Sequence, residues 1–273
     1  MADSKLTRWL IATELASIRE EAGLSRTEAA RVVGVGSSET IRKWEVGENQ
    51  PYPYAVKGIC DLYGTDGGTV EYLRFLYGQR DSKNIFPQVY EPRPLLRAEK
   101  HYDAFYKFEP QFIPNVLQVE GYHFAPELRD RRFDDRRHQE GWILKQQRRK
   151  ELKGRGEKAR VVLIVGEAAM LALDQLSCRE HQVERMKRAV SGGWDIRVVR
   201  IPHPYMYPGY EIFSSGVAGP PAKPAFVYSE MPDKSEYIEE ADRVDSFTTM
   251  FDIVLGMSIS LRDYLALTGG ADT

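Results

Sequence analysis

The apolar pattern of the first eighty residues breaks at Gly23 and again at Gly34-Val35-Gly36, and each break is followed by a serine able to cap a helix, Ser25 and Ser37. Before the first break, Ile11, Leu15, Ile18 and Ala22 recur at helical spacing and mark one face. Gly23 ends that helix, because glycine tolerates the left-handed C-terminal position. Ser25-Arg26-Thr27-Glu28 is a capping box, in which Ser25 accepts from the Glu28 amide and Glu28 reaches back. The helix it opens turns only Ala29, Ala30 and Val33 inward, so a following helix can cross it closely. Along that third helix Ile41 and Trp44 point inward, leaving Ser38, Glu39, Arg42 and Lys43 outside. A break from Gly47 to Pro51 precedes a fourth helix, about Tyr54 to Tyr63, which brings Val56, Ile59 and Leu62 to the core. A fifth, about Val70 to Gln79, brings Leu73, Leu76 and Tyr77. Helices this short bury little alone, so the spacing predicts a five-helix bundle.

The order of residues narrows the bundle further. Ala22-Gly23-Leu24-Ser25, Ala29-Ala30, Gly34-Val35 and Trp44-Glu45-Val46-Gly47 together resemble the xenobiotic-response-element (XRE, Cro/repressor-like) helix-turn-helix family over roughly residues 10–63. The turn is one residue longer than the family's usual one, and Ser38 stands where a glutamine is common, so base preferences do not carry across. The resemblance implies that the third helix enters the major groove of double-stranded DNA. Matched by position, Ser38, Glu39 and Arg42 face bases, where Arg42 can make a bidentate pair to guanine and Glu39 can accept from cytosine. Ser37, Thr40 and Lys43 sit where phosphate contacts fall, joined by Arg26 and Thr27 at the start of the second helix and Asn49 beyond the third. The family's habit also implies a homodimer on a pseudo-palindromic site.

Charge neither supports nor excludes this. The chain carries −2 overall, and residues 1–80 hold ten Lys/Arg against eleven Asp/Glu, so any DNA-binding charge has to be concentrated on one face. Residues 129–160 hold thirteen basic and six acidic residues, a block that reads as a solvated helix face or, less simply, as a docking surface. No apolar run approaches the roughly 18 residues of a membrane span. Two distant cysteines, Cys60 and Cys178, exclude a disulfide framework and point to a cytoplasmic protein.

Prolines and polar residues without periodicity mark residues 83–97 as a connector between a head at 1–82 and a second domain at 98–273. That domain mixes element types, giving an α+β chain overall. Strands are expected at Ala104–Phe108, Val161–Val165, Ile196–Ile201, Tyr210–Ser214 and Ala225–Ser229, for a sheet of four or five strands. A charged helix runs from about Asp134 to Leu152, with Trp142, Ile143 and Leu152 as its apolar residues. Ser177-Cys178-Arg179-Glu180 repeats the capping-box pattern ahead of a helix to about Val190. The tail is helical, with Val244, Phe247, Phe251, Val254 and Leu255 on one face, and Ser260 with Asp263 caps a last short helix.

Phe108-Glu109-Pro110-Gln111-Phe112-Ile113-Pro114-Asn115-Val116-Leu117-Gln118, with Tyr122 after it, is similar to the YEPxxIPGLLQTxxY signature of a domain fused to XRE helices in actinobacterial regulators. Glu167-Ala168-Ala169-Met170, Val227-Tyr228-Ser229-Glu230 and Ser258 to Leu265 fit the same group, the WhiJ-like, antitoxin-like transcription regulators. Asn115, Val119 and Gly166 depart from the pattern, where Gly, Thr and Asp are usual. The resemblance implies control of development or secondary metabolism, modulated by a small protein encoded nearby. A small-molecule effector is the alternative input.

Catalytic chemistry finds little to stand on. His101, His123, His138, His181 and His203 lack the paired spacing of a metal site, and neither a Gly-rich phosphate loop nor a nucleophile elbow occurs. The expectation is a non-enzyme without cofactor or metal. His203, Tyr205, Tyr207 and Tyr210, in a Pro-rich loop, either line a ligand or partner surface or simply cover the sheet edge. An enzyme that uses its head only for localisation, and a protein-only adaptor docking through 129–160, remain open from sequence.

Overall fold

The first helix, α1 (Lys5–Glu21), is capped by the Ser4 hydroxyl, which accepts from the Thr7 amide at 3.0 Å. In this computed structural model, which describes residues 4–79, 92–154, 159–205, 208–215, 223–230 and 235–269, α1 is buried on more than one side. Leu10, Ile11, Leu15 and Ile18 face the head's own core, while Leu6 and Trp9 reach towards the second domain. Gly23 ends it at φ 70°. The capping box then forms with both reciprocal bonds, Ser25 to Glu28 at 2.8 and 3.2 Å, and opens α2 (Arg26–Val33). Gly34, left-handed at φ 78°, turns the chain into α3 (Ser38–Glu45). Two further helices, α4 (Pro53–Tyr63) and α5 (Gly67–Gly78), close the bundle around α1. Leu62, expected inside, is 53% exposed, and Cys60 and Tyr63 take the core positions of α4 instead. The helical register explains the swap, since Val56, Ile59, Cys60 and Tyr63 share one face and Leu62 lies off it.

Of the stretch read as a connector, 83–91 lie outside the described residues, and α6 (Arg93–His101) begins two residues later. It leads into β1 (Ala104–Glu109). A 3-10 turn at Asn115–Leu117, the short α7 (Glu120–His123) and the long α8 (Asp135–Gly154) connect β1 to β2 (Arg160–Gly166). α9 (Glu167–Leu173) and α10 (Arg179–Ser191) connect β2 to β3 (Asp195–Val199). Three strands follow, β4 (Tyr210–Ser214), β5 (Phe226–Glu230) and β6 (Ser235–Ile238), then α11 (Ala241–Met257), β7 (Ile259–Ser260) and α12 (Leu261–Gly269).

The strands form one mixed sheet of seven, ordered β6-β5-β4-β1-β2-β3-β7. β1, β2 and β3 are parallel, and β4, β5 and β6 return as antiparallel neighbours on the β1 side. The sequence pointed to four or five strands. β6 and β7 are the additions, with four and two residues, too short to show alternation. β2 is central and covered on both faces, which is why it reads as an unbroken Val/Ile/Leu run. Val161, Leu163 and Val165 face one layer of helices, and Val162 and Ile164 face the other, where α11 supplies Val244, Phe251 and Val254. The capping pattern at Ser177 is not used: Cys178 precedes α10 and gives no side-chain bond. At the tail the expected cap forms, Ser260 accepting from the Asp263 amide at 3.1 Å.

The head and the second domain share a single hydrophobic core. Trp9 meets the Tyr102 ring edge-on at 5.1 Å, and Tyr102 in turn meets Phe213 and Phe226 beneath the sheet. Polar ties reinforce the join: Arg97 of α6 donates to buried Glu14 of α1 at 2.6 and 2.9 Å, and the Leu6 amide donates to Glu239 at 2.6 Å.

The basic block is only partly a solvated face. Ile143 is exposed as a lone apolar residue, but Arg148 of α8 is wholly buried between two carboxylates, Glu99 and Glu211, each at 2.6 Å. Lys107 completes the chain by donating to the other Glu211 oxygen at 2.7 Å. Burial raises the Glu99 carboxyl to about 7, because its Oε2 has no partner and Arg148 offsets only part of the cost. For Glu211 the same burial is outweighed by Arg148 and Lys107, which hold it down at about 2.

Candidate nucleic-acid interface

α2 and α3 pack against each other across the Gly34 turn, with Ala29, Ala30 and Ile41 buried between them. Such small inner side chains let α3 lie across α2 with its outer face in solvent. On that face Glu39 and Lys43 are exposed, Ser38 and Thr40 are half-buried, and Arg42 keeps a third of its side chain in solvent (33%). Arg26 and Thr27, at the start of α2, are exposed as well. The structure brings Arg26, Arg42 and Lys43 close enough to Glu39 that all three help hold its carboxyl below the usual range, the hydrogen bond from Arg42 most of all. Asn49 is exposed beyond α3 and uses its side-chain oxygen to accept from the Gln50 amide at 2.8 Å.

Ser37 is exposed and precedes α3 without giving a side-chain capping bond. The Ser38 and Glu39 amides and the Ser37 hydroxyl are therefore available to an anionic oxygen, while the Thr40 amide donates to the Ser37 carbonyl at 3.1 Å. This is what a phosphate-binding position requires, although the side-chain cap expected from sequence does not form.

Arg42 is held by its own surroundings. Its Nε and Nη2 donate to the two Glu39 oxygens, both at 2.8 Å, and Nη2 also lies 2.9 Å from Glu48. A carboxylate offers the guanidinium fork the same pair of acceptors that guanine O6 and N7 would offer. All three side chains are solvated, and exposed ion pairs of this kind exchange readily for a better partner.

Three features escaped the sequence reading. Glu48 sits outside any motif, six residues from Arg42 and past the end of α3, so its spacing gives no sign of the pairing. Glu45, inside the Trp44–Gly47 motif, is buried, and its carboxylate gathers Arg19 from α1 and Arg26 from α2, the latter at 2.7 Å. That junction fixes where α2 begins relative to α3. Tyr52 and Tyr54 flank Pro53 and stack on each other at 5.5 Å while staying 70% and 82% exposed, an unusual position for two aromatic rings.

The tyrosine loop resolves differently. Tyr210 is a core residue, its ring between Phe108 and Phe247 and its hydroxyl donating to the Phe247 carbonyl at 3.4 Å, so it lines no open surface. Tyr205 is half-buried against the same cluster, and His203 accepts from the Tyr205 amide at 3.2 Å. Tyr207 lies outside the described residues. Among the histidines, His123 and His138 come together, His123 accepting from Lys145 at 2.8 Å and donating to the His138 carbonyl at 2.9 Å. Among the described residues no group of three or more His, Cys, Asp or Glu is placed to hold a metal, and no helix is long and apolar enough to cross a membrane.

Two family models match the chain. Residues 10–73, from within α1 to within α5, match the family model of a helix-turn-helix domain. Residues 92–265, from α6 into α12, match a domain of unknown function, DUF5753. No curated protein and no solved structure matches the chain. With well over half its length inside the second match, the chain belongs to the DUF5753 family, and in this member the family domain is joined to a helix-turn-helix head of the DNA-binding regulator class.

Proposed function

We propose that this protein is an XRE-type transcriptional regulator, active in the cytoplasm, that reads double-stranded DNA with α3 and is not an enzyme. The observation that carries the reading is the outer face of α3, where Arg42 and Lys43 stand beside Arg26 and the uncapped start of the helix. Phosphates meet Arg26, Thr27, Ser37, Thr40, Lys43 and Asn49, while Ser38, Glu39 and Arg42 meet base edges. The near-neutral charge of residues 1–80 makes one head a modest binder, which favours a homodimer on a pseudo-palindromic site. The signature around Glu109 to Gln118 supports a WhiJ-like, antitoxin-like regulator of development or secondary metabolism, its second domain receiving a small partner protein encoded nearby.

Gel-shift titration on the protein's own promoter tests the docking. Arg42→Ala with Lys43→Ala should weaken specific binding at least about tenfold and flatten the salt dependence by about one phosphate contact. Unchanged affinity would place the DNA elsewhere.

A further inference from the structure

The outer face of α4 carries apolar groups where a solvated helix would carry charge. Tyr54 and Leu62, both largely exposed, stand eight residues apart with exposed Gly58 midway between them. Steps of four keep all three on one side of the helix, opposite the buried Val56, Ile59, Cys60 and Tyr63. Tyr52 lies on Tyr54 with its ring nearly parallel (7°) and broadens that side. Exposed apolar groups gathered on one face, rather than scattered singly, mark contact surfaces. Gly58 has no reason within the chain to be glycine. A Cβ built there would meet nothing within 4 Å, and glycine weakens a helix interior. It leaves a flat place between two apolar side chains, where another backbone can come close.

The charges beside this stripe are self-complementary. Lys57 and Asp61 run along one flank of it, both exposed, and pair with each other at 2.7 Å. A second α4 laid antiparallel, with the two Gly58 residues facing, matches the first throughout. Tyr54 of each copy meets Leu62 of the other, since both stand four residues, about 6 Å, from the crossing. A two-fold axis keeps the charged flanks together, and Lys57 of one copy then lies within about 3 Å, along the axis, of Asp61 of the other. A parallel pair puts the two flanks on opposite sides and loses that match.

We propose that this face of α4 is where a second copy of the chain docks, antiparallel across Gly58. This rests on the homodimer proposed above and names its surface. Tyr52, Tyr54, Lys57, Gly58, Asp61 and Leu62 are few against the roughly 20–30 residues a side of a stable interface. The pairing is therefore weak between free heads and strengthens when a common DNA holds two copies side by side.

Disulfide trapping of the free full chain, without DNA, provides the test. Helices whose axes pass about 8 Å apart bring facing Cα atoms within the roughly 7 Å reach of a disulfide, so Gly58→Cys should cross-link. Cys60 and Cys178 are buried and stay out of the exchange. In a glutathione buffer the Gly58→Cys dimer should exceed that of Glu71→Cys, an exposed position on α5, at least about tenfold. Lys57→Glu and Asp61→Lys, each added to Gly58→Cys, set like charges across the crossing and should cut the yield several-fold. Mixing those two variants restores opposite charges at both contacts and should return the yield as a mixed dimer. Neither misfolding nor a lost DNA contact produces rescue between separate chains. Cross-linking no better than at Glu71→Cys, undiminished yield in both charge variants, or no recovery on mixing would overturn the proposal. A trapped dimer with this rescue, alongside absent operator binding, would uphold the interface and overturn only the DNA-binding reading.

Discussion

Replacing Glu45 by Gln should unsettle the head more than any other change near the DNA face. The Glu45 side chain is 2% exposed and Arg19 beside it 9%, so neither is well solvated. The carboxylate accepts from Arg19 Nε, from Arg19 Nη2 at 3.3 Å and from Arg26 Nε at 2.7 Å. Breaking a buried pair by removing one partner costs about 3–5 kcal/mol, because the remaining charge is stranded. Two facts place this case at the lower end. Arg19 retains the Leu24 carbonyl at 2.7 Å and Glu20 at 3.2 Å, and Arg26, with a side chain 47% exposed, can turn to water. We therefore expect a loss of about 3 kcal/mol in urea unfolding followed by helical circular dichroism. A cycle with Arg19→Met should show coupling of at least about 2 kcal/mol, as the double variant strands no charge. A loss below about 1 kcal/mol with no coupling is what a surface pair would give, and it would refute the claim that this junction holds α2 on α3.

Two other perturbations test the second domain. A Cβ at Gly166 would stand 2.1 Å from the Pro110 carbonyl oxygen, which is backbone and cannot yield, so Gly166→Ala should cost at least about 2 kcal/mol in a thermal melt. Glu99 titrates near 7 when folded against an ordinary 4.5, so the folded state holds its proton more tightly. Its contribution to stability is complete below about pH 4.5 and is lost as pH rises through 7. Glu99→Gln should flatten the decline in melting temperature between about pH 5 and 8, and an unaltered profile would count against the assignment.

The head was legible because its signals are local. A capping box, a left-handed glycine and a row of alanines each act within a turn or two, and the bundle follows from their order. β2 announced itself through burial on both faces. What escaped depended on partners distant in sequence. Glu45 reads as one more surface glutamate until Arg19 arrives from α1, and α8 reads as a solvated helix until Arg148 meets Glu99 and Glu211. Tyr210 looked like a lining residue because loop aromatics next to prolines carry no mark of which way they face.

The core that runs unbroken from Trp9 through Tyr102 to Phe213 bears on how any signal could travel. A head tethered by a loose linker would search orientations freely, whatever happened in the other domain. Here α1 is rooted beneath the sheet and tied at Leu6 to Glu239, just past β6, and at Glu14 to Arg97 of α6, so the bearing of α3 is set by the body that carries it. Any assembly that pairs two copies through their larger domains would act as a calliper, with the gap between its two reading helices preset. An input that tilts one body on the other would change that gap, and so which half-site spacing the pair can span, without touching a single residue at the DNA.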